Sequence, residues 1–183
     1  GKQALKMMDR DPEIQLFLCI EYVDYERFPD TRKFAAEGRA MLKQLLTYLP
    51  NSAQAHLLQA KMLAFDKDLS ASRKEAEYAL KLDPSYSRAY LWLARIQTIQ
   101  VDRVLLGQET GRDAAALVRG QDPAGLQIAR DACVNFEKAR QYGIRLDASD
   151  RMKYTTMLFL TDQPTRAVIE GRLIDNPREK QIC

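Results

Sequence analysis

One histidine serves the whole 183-residue chain, so any reaction that needs an imidazole must use His56. A nucleophile would need a base and an orienting group beside it, and a metal would need further ligands at coordinating spacing. Cys19, Cys133 and Cys183 lie far apart, with no Cys-x-x-Cys between them. Three scattered thiols suggest neither a disulfide framework nor a zinc site, and buried or incidental cysteines are the expectation. The acid pairs Asp9/Asp11, Asp66/Asp68 and Asp147/Asp150 fall in predicted turns or caps, where turn chemistry explains carboxylates without catalysis. Neither Gly-rich phosphate loop is present, and there is no Gly-x-Ser-x-Gly elbow. The chain is therefore read as a non-enzyme, with no catalytic residue, no cofactor and no metal.

The charge balance narrows the class of partner. Lys and Arg number 28 against 25 Asp and Glu, a net charge of +3, spread along the whole length without basic runs, which disfavours nucleic acid and anionic membranes. Apolar stretches such as Leu16 to Ile20 and Met157 to Leu160 are far below the roughly 18 residues needed to cross a bilayer, so no membrane insertion is expected. Gly1-Lys2 opens without a signal peptide, and a cytoplasmic location is favoured. No feature specifies an oligomeric state. The length suffices for one domain or for a short solenoid in which each helical pair packs on its neighbours.

The cations that remain interesting are those that recur. Shifted by about 34 residues, Pro50, Ala55, Leu57, Ala60 and Lys61 fall on Pro84, Ala89, Leu91, Ala94 and Arg95, while His56 falls on Tyr90 and Leu58 on Trp92. Between the copies runs Glu75-Ala-Glu-Tyr-Ala-Leu-Lys-Leu-Asp-Pro84. This ending, a small residue followed five positions later by Pro, together with the spacing, resembles the second helix of a tetratricopeptide (TPR) repeat. Ala76 stands where the family usually has a large aromatic residue, and His56 replaces the usual Trp or aliphatic opener. The resemblance implies an all-α, right-handed superhelix of antiparallel helical hairpins over residues 1–183. It also implies a protein–protein interaction scaffold or adaptor that binds a peptide on its concave face. The same resemblance is compatible with a platform in a bacterial secretion, pilus or envelope assembly complex, or with a regulatory domain of a larger enzyme.

In chain order, Gly1 to Arg10 reads as the tail of a helix that stops before Pro12. The first hairpin covers about 12–50, with an apolar helix to Phe28 and a second from Thr31 to Leu49. The second covers about 51–84, with helices over Ser52 to Phe65 and Leu69 to Lys81 around a polar turn. In it the small Ala60 and Ala79 allow close approach, and Leu63, Leu69 and Leu80 fill the gaps. The third covers about 85–144. Its first helix runs long through Val104 and Leu105, and its second appears only at Gly125 to Gln141. That leaves an insertion of about 26 residues near 101–124, rich in Gly, with one weakly helical piece at Asp113 to Arg119, and read as a flexible loop. The last hairpin covers about 147–177, beginning near Asp147 with an N-cap expected from Ala148-Ser149-Asp150 and ending at Asn176-Pro177.

By repeat position, the residues turned inward are Gln54, Leu57, Lys61, Ala64 and Phe65, then Arg88, Leu91, Arg95, Thr98 and Ile99. Lys61, Phe65, Arg88, Leu91 and Arg95 are the candidate peptide-binding row, mixed basic and apolar, suited to an acidic or carboxylate-bearing segment with apolar anchors. Family members that grip a terminal carboxylate also use Asn at such positions; those Asn residues are missing here. Trp92 lies just off the row and is read as core or inter-repeat packing.

Overall fold

Apolar residues recurring every three or four positions between turns rich in Asp, Gly and Pro favour helices. The computed structural model describes residues 32–108 and 113–174 and is all-helical there. In order these are α1 (Arg32–Tyr48), α2 (Ala53–Phe65), α3 (Leu69–Leu82) and α4 (Ser87–Leu105), then α5 (Ala114–Val118), α6 (Pro123–Gln141), α7 (Ala148–Leu160) and α8 (Pro164–Arg172). The helices expected over Gly1 to Arg10 and Pro12 to Phe28, and the stop at Asn176-Pro177, lie outside the described residues.

Most helix starts are set by the short polar residue before them. Ser52, Asp68, Asp122 and Asp147 each accept a hydrogen bond from the backbone N–H three residues on, at 3.3, 2.9, 2.9 and 2.7 Å, which satisfies one of the orphan donors of a first turn. Pro123 and Pro164 follow at the first helical position, where the missing N–H costs nothing. Asp68 and Asp147, two members of the acid pairs, are thus caps.

Two compact units divide between Ala89 and Tyr90. In the first, α2 and α3 form an antiparallel hairpin: the Ser72 hydroxyl donates to the Ala60 carbonyl at 2.6 Å, and His56 meets Glu75. Ala60, Ala76 and Ala79 are fully buried, so small side chains let the two backbones come close, and Ala76 explains how the hairpin closes without the expected aromatic residue. The other side of α2 packs on α1 through Leu42, Leu45, Ala55, Leu58 and Met62.

The second unit has its own core, which gathers Val101, Val104, Phe136, Leu146, Tyr154, Met157 and Leu158 around the small residues Ala94, Ala129, Ala132 and Ala167. The short helix α5, with its cap at Asp113, falls within the piece read as weakly helical, but the segment differs from a flexible loop in that Leu117 is fully buried in the core. Gly125 makes the room: a Cβ there would stand 2.7 Å from Leu117 Cδ1 and 2.6 Å from Asp122 Oδ2. Gly125, read from the sequence as the start of the next helix, is what allows this close packed contact.

Candidate functional site

His56 is the natural place to look for chemistry, and its ring is fully engaged. Nδ1 lies 2.7 Å from Glu75 Oε2 and Nε2 lies 2.9 Å from the Pro50 carbonyl, while the ring meets Tyr78 edge-on at 4.5 Å. A carboxylate on Nδ1 is half of a catalytic arrangement, but the other half needs Nε2 facing a nucleophile or substrate. Here a backbone carbonyl occupies it. His56 instead fastens the turn before α2 to α3, by hydrogen bonds as well as by the packing expected of it.

Cys133 is no better placed as a nucleophile. Burial pushes its thiol up to about 11, against a smaller opposing effect of the Thr161 hydroxyl 4.0 Å away, so the reactive thiolate is scarce near neutral pH. Among the described residues no group of three or more His, Cys, Asp and Glu could hold a metal ion, and no helix is long and apolar enough to cross a membrane.

The candidate binding row falls partly in each unit. In the first, Lys61 and Phe65 sit one turn apart on α2, Lys61 half-buried and Phe65 38% exposed, and Arg88 is exposed in the first turn of α4. In the second, Leu91 packs against the unit's core. Leu57 and Thr98, placed inward by the same repeat frame, are buried, and Thr98 donates to the carbonyl of Ala94 in its own helix. Trp92 is half-buried.

Arg95 has an internal partner. Its Nε and Nη2 donate to the two carboxylate oxygens of Asp150 at 2.7 and 2.6 Å, and Asp147 Oδ2 lies 3.6 Å from Nη2. The Asp150 side chain is only 2% exposed. This fork-to-fork pair ties α4 to α7, and such bidentate geometry is the strong form of an ion pair. Pairing of this kind joins the other helices of the unit too. Glu137 on α6 accepts from the Tyr154 hydroxyl on α7 and from Arg166 on α8. Glu170 on α8 accepts from Arg140 on α6 and from Arg151 on α7. Burial, reinforced by Glu137, raises the Tyr154 hydroxyl above its usual range.

Several large apolar side chains of the unit also face outward. Met152 and Phe159, two turns apart on α7, are 59% and 55% exposed, and Ile99 on α4 is 38% exposed. The N-cap could have pointed to the first two: aligning Asp147 with Ser52 puts Met152 at the position of Leu57 and Phe159 at that of Ala64. A scan against models of known protein families finds no match, and no curated protein matches the chain.

Proposed function

We propose that this chain is a non-catalytic protein-interaction scaffold of TPR type, in which the first helices of successive hairpins offer a face to a peptide or partner segment. The observation that carries the reading is the outward stripe of α7. Met152 and Phe159, which the repeat spacing would align with Leu57 and Ala64, are large apolar side chains more than half exposed, and large exposed apolar side chains support a binding surface. In the first unit, taken by itself, Phe65 and Arg88 are exposed and Lys61 is half-buried, a face of mixed basic and apolar kind. In the second, Leu91 and Arg95 act mainly by holding their own unit in shape, because Leu91 packs inward and Arg95 pairs with Asp150.

An acidic segment with apolar anchors suits this surface, with an affinity in the micromolar range, roughly −8 kcal/mol. The test is capture of partner proteins by the immobilised chain, compared with a Met152→Asp/Phe159→Asp variant and a Phe65→Asp/Arg88→Glu variant. Both should lose the captured partner while circular dichroism stays helical. Capture that survives both sets of changes overturns the reading.

A further inference from the structure

The hydrogen bonds of His56 do more than fasten a turn, because both of its ring nitrogens face acceptors. Nδ1 stands 2.7 Å from Glu75 Oε2 and Nε2 stands 2.9 Å from the Pro50 carbonyl oxygen. An ionised carboxylate and a backbone carbonyl can only accept, so each contact needs an N–H from the ring. A neutral imidazole has one N–H and one lone pair. Whichever tautomer it adopts, the lone pair is turned on an oxygen at hydrogen-bond distance. The imidazolium carries two N–H groups and satisfies both oxygens at once.

The groups set against the ring agree with a cation there. From α3 come the Glu75 carboxylate and the ring of Tyr78, whose centroid lies 4.5 Å away; from the turn before α2 comes the Pro50 carbonyl. A carboxylate favours the charged form of a neighbouring base, and an aromatic ring at this range is compatible with a cation. Arg73, the cation two residues before Glu75, is engaged by Glu77 at 2.7 Å. The side chains of His56 and Glu75 are 14% and 33% exposed, which limits the water that could stand in for a missing proton.

We infer that His56, Glu75 and the Pro50 carbonyl form a pH-sensitive clasp, closed by the imidazolium, that holds the turn before α2 to α3 and loosens when the ring gives up its second proton. The folded chain offers that proton a fixed acceptor on each side, whereas the unfolded chain offers water. The folded state therefore binds more proton, and the stability it gains falls as pH rises across the range in which histidines become neutral, around pH 6.5. His56 is the one histidine of the chain, and no other type of side chain ordinarily changes charge between about pH 5.5 and 7.5. The clasp concerns how the α2–α3 hairpin is held, so it stands independently of what the scaffold binds.

The experiment uses the full chain, labelled with ¹⁵N and carrying no histidine tag, so that long-range ¹H–¹⁵N spectra show a single imidazole. Between about pH 6 and 7.5, a larger fraction of rings should be doubly protonated in the folded chain than in the same chain unfolded in urea. An equal or smaller fraction in the folded chain would overturn the inference. Glu75→Gln keeps the shape of its side chain and removes the charge, so the excess of protonated ring should shrink markedly; an excess that survives unchanged would rule out the clasp as its cause. Stability reads the consequence. Raising the pH from about 5.5 to 7.5 should lower the melting temperature of the wild-type chain by more than that of His56→Gln, and an equal response in the two would show that the ring's second proton does not hold the hairpin. The ring spectra are read on the wild-type chain, so they decide the matter even where His56→Gln folds poorly.

Discussion

Removing one partner of the Arg95–Asp150 pair should destabilise the second unit far more than removing both. In Arg95→Met the Asp150 carboxylate, 2% exposed, loses both charge-assisted hydrogen bonds and has no water to replace them. Stripping one member from a buried pair costs about 3 to 5 kcal/mol. Arg95 is itself a quarter exposed, which lets some water in, so about 2 to 4 kcal/mol is expected here. Asp150→Leu should fall in the same range, since the guanidinium is left with Asp147 alone at 3.6 Å. The double variant replaces both ends with apolar groups and should lose only about 1 kcal/mol, giving a coupling energy of at least about 3 kcal/mol in the cycle. Urea unfolding followed by circular dichroism measures all four corners, with the slope m checked for constancy. Single losses below about 0.5 kcal/mol with no coupling would refute the reasoning. They would mean that the pair is solvated and that the Arg95 guanidinium remains available to a ligand. A charge reversal at Arg95 is accordingly a test of folding, not of binding.

Gly125→Ala forces a methyl group to within 2.7 Å of Leu117 Cδ1, and should cost about 1 to 3 kcal/mol while raising hydrogen exchange across α5; an unchanged melting temperature would mean that α5 is not packed as described. Ala60→Leu should overpack the α2–α3 hairpin, where Ala60 is fully buried and its carbonyl receives Ser72, again at about 1 to 3 kcal/mol by thermal melting. Cys133 is held protonated by the fold, its thiol raised from 9.0 to about 11, so the stabilising effect is complete below about pH 9 and lost as pH rises through about 11. The melting temperature should therefore decline over that alkaline window, and Cys133→Ala should flatten the decline. In a Cys19→Ser/Cys183→Ser background, thiol labelling of native Cys133 near pH 8 should be slow, and rapid labelling would refute the burial argument.

Much of the helix pattern was legible because the signals were local. Runs of apolar residues at helical spacing, bounded by polar or Pro-containing turns, are written within a few residues of one another and place the helices to within a few positions, although the cap expected from Ala148-Ser149-Asp150 is in fact Asp147 and the helix expected from Gly125 begins at Pro123. The long first helix of the third pair was equally visible in Val101 and Val104, both now buried. What escaped was whatever depends on a distant residue. Arg95 repeats Lys61 at the spacing of about 34, and the shared position suggested a shared role in binding a partner. Asp150, 55 residues away in sequence, engages Arg95 within the unit, and nothing near either residue announces it. Leu117 was hidden for a similar reason, since a lone Leu in a weakly helical segment is buried only because Gly125 leaves space for it.

The polar network of the second unit also bears on how a binding face could be kept in shape. Helix contacts built on Ala94, Ala129, Ala132, Ala139 and Ala167, all fully buried, are smooth, and smooth surfaces can slide by a residue, about 1.5 Å along the axis, at little cost in apolar area. Directional pairs remove that freedom. Asn135 donates to Gln97 at 2.9 Å between α6 and α4, Arg95 fixes α4 to α7, Glu137 ties α6 to α7 and α8, and Glu170 ties the same three again. Slipping any one helix by a residue would break at least one of these bonds and leave a buried carboxylate or amide unpaired, at about 1 to 3 kcal/mol or more. The register of α4, α6, α7 and α8 is thereby set by charge and hydrogen bonding as well as by the packing of Phe136, Tyr154, Met157 and Leu158. For the proposed scaffold this means that Met152 and Phe159 are presented from a fixed platform, so a partner loses little by ordering the surface it meets. It follows that weakening the network, for example by Glu137→Gln, should reduce partner affinity without touching any residue of the binding face.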